Sequence, residues 1–402
     1  MSSSAIGAEA GTFVERRLVL LVGAVVFVDT MFYAAIAPLL PRLSHELHLS
    51  KLSAGVMTAG YPVGTLIGAI PGGVLAVRAG ARFTVCAGLA LLAASTLAFG
   101  LLSDPVSLDL ARFVEGLGGA CSWAGGLAWI VAEAPPERRG GLIGGALGAA
   151  IGGALLGPVI GTIADAIGRS LTFSGVVIVA VLLIAQARRL PMAPKAGEQG
   201  VRPLVAAVRD PRVICGMWLV ALPAIASGAI NVLGPLRLHR LGAGAVVIGA
   251  TYLAASAIEA AVSPGVGKLS DRRGRLMPLR FGLVAATVVL ACFTLPGSPA
   301  LLALLLVATG TAIGTFWAPA MAMLSDAADA RDLDQALAAA LMNLAWAGGQ
   351  IVGAGGGGAV AKAVGDAVPV TATAGLCVAT LLVLAAPLRL GSRREWTSRA
   401  TH

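Results

Sequence analysis

Few residues in this chain can do chemistry, and the first of them stands where charge is costly. Residues 18–41 lie between Arg17 and Arg42, and Asp29 is their only charged side chain. At about 1.5 Å of rise per residue, roughly 20 apolar residues cross the hydrocarbon core of a bilayer, so Asp29 falls near mid-membrane. An ionised carboxylate there costs about 3 kcal/mol unless it faces a polar cavity, a cation or a proton. Asp29 therefore reads as a coupling site; the alternative is a protonated carboxyl bonded to Thr30 or Tyr33. Arg112 and Glu115, three residues apart, share a helix face and can pair, which lowers the cost of burying each. Glu259 stands eight residues before Gly267, about two turns from a helix end. It is either a second proton site or the partner of a cytoplasmic arginine. Asn343, Trp346 and Gln350 recur at helical spacing and share a face suited to lining a cavity. Trp123, Trp129 and Trp317 can stack on a flat or cationic substrate, or fill a core.

The elements that position these residues are membrane spans. The chain has 402 residues, 57% hydrophobic and 12% charged, with a mean hydropathy of +0.88, which excludes an ordinary soluble protein. Twelve apolar runs of spanning length fall near 18–40, 52–76, 83–102, 107–132, 142–166, 171–187, 213–236, 246–267, 278–296, 299–324, 336–361 and 368–388. Arg16 and Arg17 before the first run resemble a leader's charged region, but the run is long and carries Asp29, so a retained helix is expected. Arg78, Arg82, Arg138, Arg139 and the basic clusters within 188–212, 268–280 and 393–399 fall on the same side as Arg16 and Arg17. The positive-inside rule makes that side, and both termini, cytoplasmic. A net charge of +9 spread between apolar runs in this way points to loops beside a lipid bilayer rather than to nucleic acid. Four histidines, five scattered cysteines without metal-ligand spacing and no phosphate-binding loop argue against an enzyme and against a metal site. Arg237, His239 and Arg240 read as an exposed outer loop, and the acidic run 326–334 as solvated.

The one long polar interruption, 188–212, divides the chain into a first unit at 1–187 and a second at 213–402. Its stretch 201–213 is either a short interfacial helix or ordinary linker. A repeat supports the division. Gly73, Leu75, Arg78 and Gly80 end the second run, and Gly267, Leu269, Arg272 and Gly274 end the eighth at the same offsets. Glycine there supplies a tight turn and close helix approach, and arginine anchors the cytoplasmic face. Duplicated halves are a known transporter architecture.

Over nearly its full length the sequence resembles the major facilitator superfamily. The resemblance implies an all-α membrane protein of twelve transmembrane helices in two pseudo-symmetric six-helix bundles. Residues 267–275 are similar to the family's cytoplasmic loop signature, whose acid is Asp271; Val77 replaces that acid in the first copy. In the family this loop latches the cytoplasmic gate, which would set Asp271 against Arg138 or Arg139. Arg112, Glu115 and Gly116 resemble the family's Arg-x-x-Gln-Gly motif with glutamate in place of glutamine, and the family gives that arginine a part in proton movement. Gly153, Gly157, Pro158 and Gly161 resemble the fifth-helix signature of drug–proton antiporters, which implies export; small residues at this spacing also serve plain helix packing. Asp29 to Tyr33, with Pro38 and Pro41 following, resembles the first helix of vesicular amine and related bacterial multidrug exporters. Asn231 and Gly314 stand where vesicular amine transporters carry further acids. The resemblance thus implies a monomeric exporter in a bacterial plasma or inner membrane. It would exchange amphipathic or cationic small molecules for protons, with no cofactor beyond the proton gradient. The alternative is a symporter or facilitator for a small metabolite such as a sugar or amine.

Overall fold

The computed structural model describes residues 3–133, 136–190, 208–331 and 335–385. Every regular element among them is helical. The first half holds α1 (Ser3–Ala34), α2 (Ile36–Glu46), α3 (Lys51–Arg78), α4 (Ala81–Leu101), α5 (Pro105–Glu133), α6 (Pro136–Ile167) and α7 (Arg169–Arg189). The second holds α8 (Pro211–Arg240), α9 (Ala245–Arg273), α10 (Leu276–Ala291), α11 (Pro299–Asp329), α12 (Gln335–Ile351), a π turn (Val352–Gly356), α13 (Gly357–Val364) and α14 (Ala367–Ala385).

These fourteen α-helices account for the twelve expected spans. α1 and α2 form one interrupted rod, because Pro38 lacks the N–H that would bond Ala34 and its ring crowds that carbonyl; the chain breaks step at Ala35. α12, the π turn and α13 form the eleventh. Among the described residues, nine helices are long and apolar enough to cross a membrane by composition alone. The ninth span ends earlier than its hydropathy suggests. α10 stops at Ala291 because Pro296 and Gly297 follow, and Arg237 donates to the carbonyls of Thr294 and Pro296, which fixes the turn. Start signals are local: Ser50 accepts from the Ser53 amide, Ser298 from the Leu301 amide ahead of Pro299, and Asp210 from the Arg212 amide beside Pro211.

Helix pairings repeat between halves. α5 packs on α3 and α4, α6 on α1, and α7 on α4; six spans later α11 packs on α9 and α10, α12 on α8, and α14 on α10. Contacts across the halves run from α2, α3 and α6 to α8, α9, α12 and α13. They concentrate at the end that the arginine distribution assigns to the outside. There Leu40 and Ala54 of the first half are buried in the apolar cluster of the second. Gly249 of α9 meets Thr162 of α6, and Gly358 of α13 lies against Gly55 and the Lys51 carbonyl of α3. Asp366, between α13 and α14, binds Lys51 across the halves at 2.5 Å and Arg240 within its own half. The halves are clamped at the outer end.

Gly80 and Gly274, with φ of +94° and +83°, make the left-handed turns the repeat calls for. Gly73 and Gly267 face open space, so the close approach expected of them is absent in this arrangement. Arg78 and Arg272 are exposed. The side chains of Asp271, Arg138 and Arg139, and the linker stretch 191–207, lie outside the described residues. Arg237, His239 and Arg240 form the last turn of α8 rather than a loop. Asp326 is paired with Arg275 rather than simply solvated, and Asp210 with Arg331.

Candidate functional site

Asp29 lies on α1 where α3 and α5 close over it, and its side chain is wholly buried. Its partners are neither Thr30 nor Tyr33. Thr30 donates back to Val26 and on to Ala150 of α6, both at 2.9 Å. Instead Asp29 Oδ2 accepts from the Tyr61 hydroxyl of α3 at 2.8 Å and from Trp123 Nε1 of α5 at 3.2 Å. Oδ1 has no hydrogen-bond partner among the described residues. A buried carboxylate with one free oxygen is incompletely satisfied and can take a proton or a donor from cargo.

Glycines let these groups meet. A methyl at Gly119 of α5 would lie 2.5 Å from the Tyr61 hydroxyl and 2.8 Å from Asp29 Oδ1. Gly116 on the same helix sits against the Tyr61 carbonyl, and Gly64 against the Phe113 carbonyl. On the other side Gly153 and Gly157 of α6 abut the main chain of α1 at Phe27 and Met31, and Gly161 abuts the break at Ala35. The four-residue glycine spacing thus holds α1 at Asp29 and just beyond it. Pro158 is buried within α6, and its carbonyl accepts from Thr162.

Arg112 and Glu115 pair at 2.8 Å, both buried. Arg112 also donates to the Tyr33 carbonyl at 3.2 Å, and its guanidinium lies over the Tyr33 and Tyr61 rings, 5.7 and 5.6 Å from their centroids. Glu115 points away from the second half. With Thr96, Phe32, Phe99 and Phe173 it lines a cavity of about 10 Å³ inside the first bundle, room for about one water molecule. The pairing of Arg112 and Glu115 expected from sequence is present, and neither residue bonds Asp29's free oxygen.

From the second half, Trp346 of α12 reaches the site. Its ring is 5.6 Å from Tyr33 and 6.4 Å from Tyr61, edge-on to both. Gln350, one turn further, is buried and donates to Ser227 of α8 at 2.9 Å, so it turns into its own half. Its Oε1 has no partner among the described residues. Asn343 and Asn231 are half-buried. Glu259 makes no ion pair among the described residues. It leans on Gly314 of α11, where a methyl would lie 2.6 Å from its Cγ. The Glu259 side chain of α9 thus fills the space beside Gly314. Trp129 is core, whereas Trp123 bonds Asp29.

Sequence reasoning missed Tyr61 and Gly119. Tyr61 had a signal: all three tyrosines of the chain lie inside apolar runs, where a hydroxyl needs a partner. Gly119, one of 53 glycines, had none.

The sequence matches the family profile described as Major Facilitator Superfamily over residues 22–299 and again over 224–400. No curated protein matches it in sequence. Among solved structures it is similar to the xylose transporter XylE from E. coli in a partially occluded inward open conformation. The identity is 15% and the TM-score 0.73, with 92% of this chain and 98% of that one covered. At that identity the likeness speaks for the fold. The two matches together cover residues 22–400, and the chain belongs to the major facilitator superfamily, multi-pass secondary transporters of small molecules.

Proposed function

We propose that this transporter is a proton-coupled exporter of amphipathic or cationic small molecules. It would work by rocking two bundles, 1–187 and 213–402, about the linker 188–212. The observation that carries the proposal is Asp29: fully buried, held by two donors on one oxygen and free on the other, at the place where aromatic rings of both halves meet. Protonation of that carboxylate and binding of a cation compete for one negative charge, so an inward proton gradient drives cargo out. The Tyr33, Tyr61 and Trp346 rings offer faces and edges for an apolar or cationic body. Glu259 beside Gly314 is a second acid, in the second half, and Asn231 and Asn343 are half-buried neutral polar groups there.

Those amides favour one other reading, symport of a neutral hydroxylated metabolite. Purified protein in vesicles, given a proton gradient of each sign and a panel of aromatic cations, amines and sugars, separates the two by the gradient that drives accumulation. Asp29→Asn is expected to abolish gradient-driven transport while leaving expression and folding intact. Undiminished uphill transport in that variant would rule the proposal out.

A further inference from the structure

We infer that Tyr61 is the positioning residue that reports the charge on Asp29 to the second half, through Trp346. The inference rests on Asp29 being the coupling site. Two side chains donate to Asp29. Trp123 sits on α5 and packs into the apolar cluster of the first bundle, so what it senses stays there. Tyr61 differs: its hydroxyl is bonded to Asp29 and its ring lies 6.4 Å from Trp346, which belongs to α12. Tyr33 extends that contact, 4.6 Å from Tyr61 and 5.6 Å from Trp346, but does not bond the carboxylate.

The remaining charges near Asp29 do not carry the message. From α5, Arg112 and Glu115 are already paired with each other, and neither bonds Asp29. From α6, Thr30's neighbour offers only the Ala150 carbonyl. On α1 and α3 the titratable neighbours are the phenols Tyr33 and Tyr61. What changes when Asp29 gains a proton is therefore its grip on its own two donors. A hydrogen bond to an ionised carboxylate is roughly twice as strong as one between neutral groups. A proton delivered by hydronium to Oδ1 leaves water behind, neutralises the carboxylate and breaks no other covalent bond. The Tyr61 hydroxyl is then held less firmly, and its ring can shift against Trp346. Gly119 fits this role. The space above it admits the Tyr61–Asp29 bond and nothing larger than a hydrogen on the glycine.

The test needs no cargo. Trp346 emission, taken as the difference between the unaltered protein and Trp346→Phe, is followed against pH in lipid nanodiscs. A single titration step is expected, and it is expected to vanish in both Asp29→Asn and Tyr61→Phe. The latter keeps the ring and its packing but loses the donor. Gly119→Ala, which keeps the hydroxyl but crowds it, is expected to lose the step too and serves if Tyr61→Phe does not fold. A step that persists in Tyr61→Phe, or no step in the unaltered protein, overturns the relay. A step lost in Asp29→Asn but kept in Tyr61→Phe sinks the relay alone. The vesicle assay of Asp29→Asn judges the exporter reading independently of either result.

Discussion

α5 and α11 hold corresponding places in the two halves, each packed on the two helices before it, yet they handle polarity differently. α5 buries an arginine and a glutamate, and carries the tryptophan and glycine that complete the Asp29 site. α11 buries Thr309 and Thr315, whose hydroxyls donate to the carbonyls of Leu305 and Ala312 on the same helix, both at 2.7 Å. A threonine satisfied by its own helix asks nothing of its neighbours. An arginine–glutamate pair must be matched by surroundings. The two corresponding helices thus differ: α5 carries a buried ion pair, and α11 buries hydroxyls satisfied within itself. Toward Asp29 the second half presents the Trp346 ring.

Breaking the pair should show this most strongly. Arg112→Met leaves Glu115 buried without its cation and is expected to cost about 3–5 kcal/mol, seen as a lower unfolding temperature in detergent. Adding Glu115→Leu should recover most of that loss. The matching change in α11, Thr315→Val, is expected to cost about 1 kcal/mol or less. Equal losses in the two helices would erase the contrast.

A smaller effect is expected at the outer clamp. Asp366→Asn frees Lys51 from the second half and should raise outward opening about tenfold, near the 1.4 kcal/mol of one modest charged contact. The rate at which an external reagent modifies a cysteine placed at Ala54, which is buried in the seam, checks it. Glu259→Gln is expected to slow transport only about threefold, because the coupling chemistry is assigned to the first half. A loss as complete as that of Asp29→Asn would instead give the halves equal roles.

Least affected should be the clamp's response to acid. Burial raises the Asp366 carboxyl, but Lys51 and Arg240 outweigh it and hold it below its ordinary value of 3.8. A lowered value in the clamped state means the contribution is complete above about 3.8 and is lost only as pH falls through the lower value. External pH between about 5 and 8 should leave outer accessibility unchanged. The clamp is thus insulated from the gradient that Asp29 is proposed to sense.

Much of this architecture is legible in sequence because hydrophobic length and arginine placement act span by span. Arg112 with Glu115 was readable because helical spacing alone makes them neighbours. The Asp29 site was only half readable. Its acid stands out against apolar residues, but Tyr61 and Trp123 come from two other helices, 32 and 94 positions away. Which spans close over Asp29 depends on glycines that look alike in sequence and differ only in what they face: Gly119 meets a carboxylate, Gly73 open space. The Gln350 amide shares a face with Trp346 by spacing, yet bonds Ser227, because helical phase sets direction and the neighbour sets the partner.

The π turn at Val352–Gly356 alters the phase of the rod it interrupts. Trp346 and Gly358 both face α3, at Tyr61 and Lys51 respectively. Around an unbroken α-helix they would point about 120° apart. One surplus residue in the wider turn brings them to within about 20° of a common stripe. A single strand of side chains thus spans from the aromatic contact at Tyr61 to the outer clamp, and closing the wide turn into plain α-helix with no residue removed would swivel the two ends out of alignment.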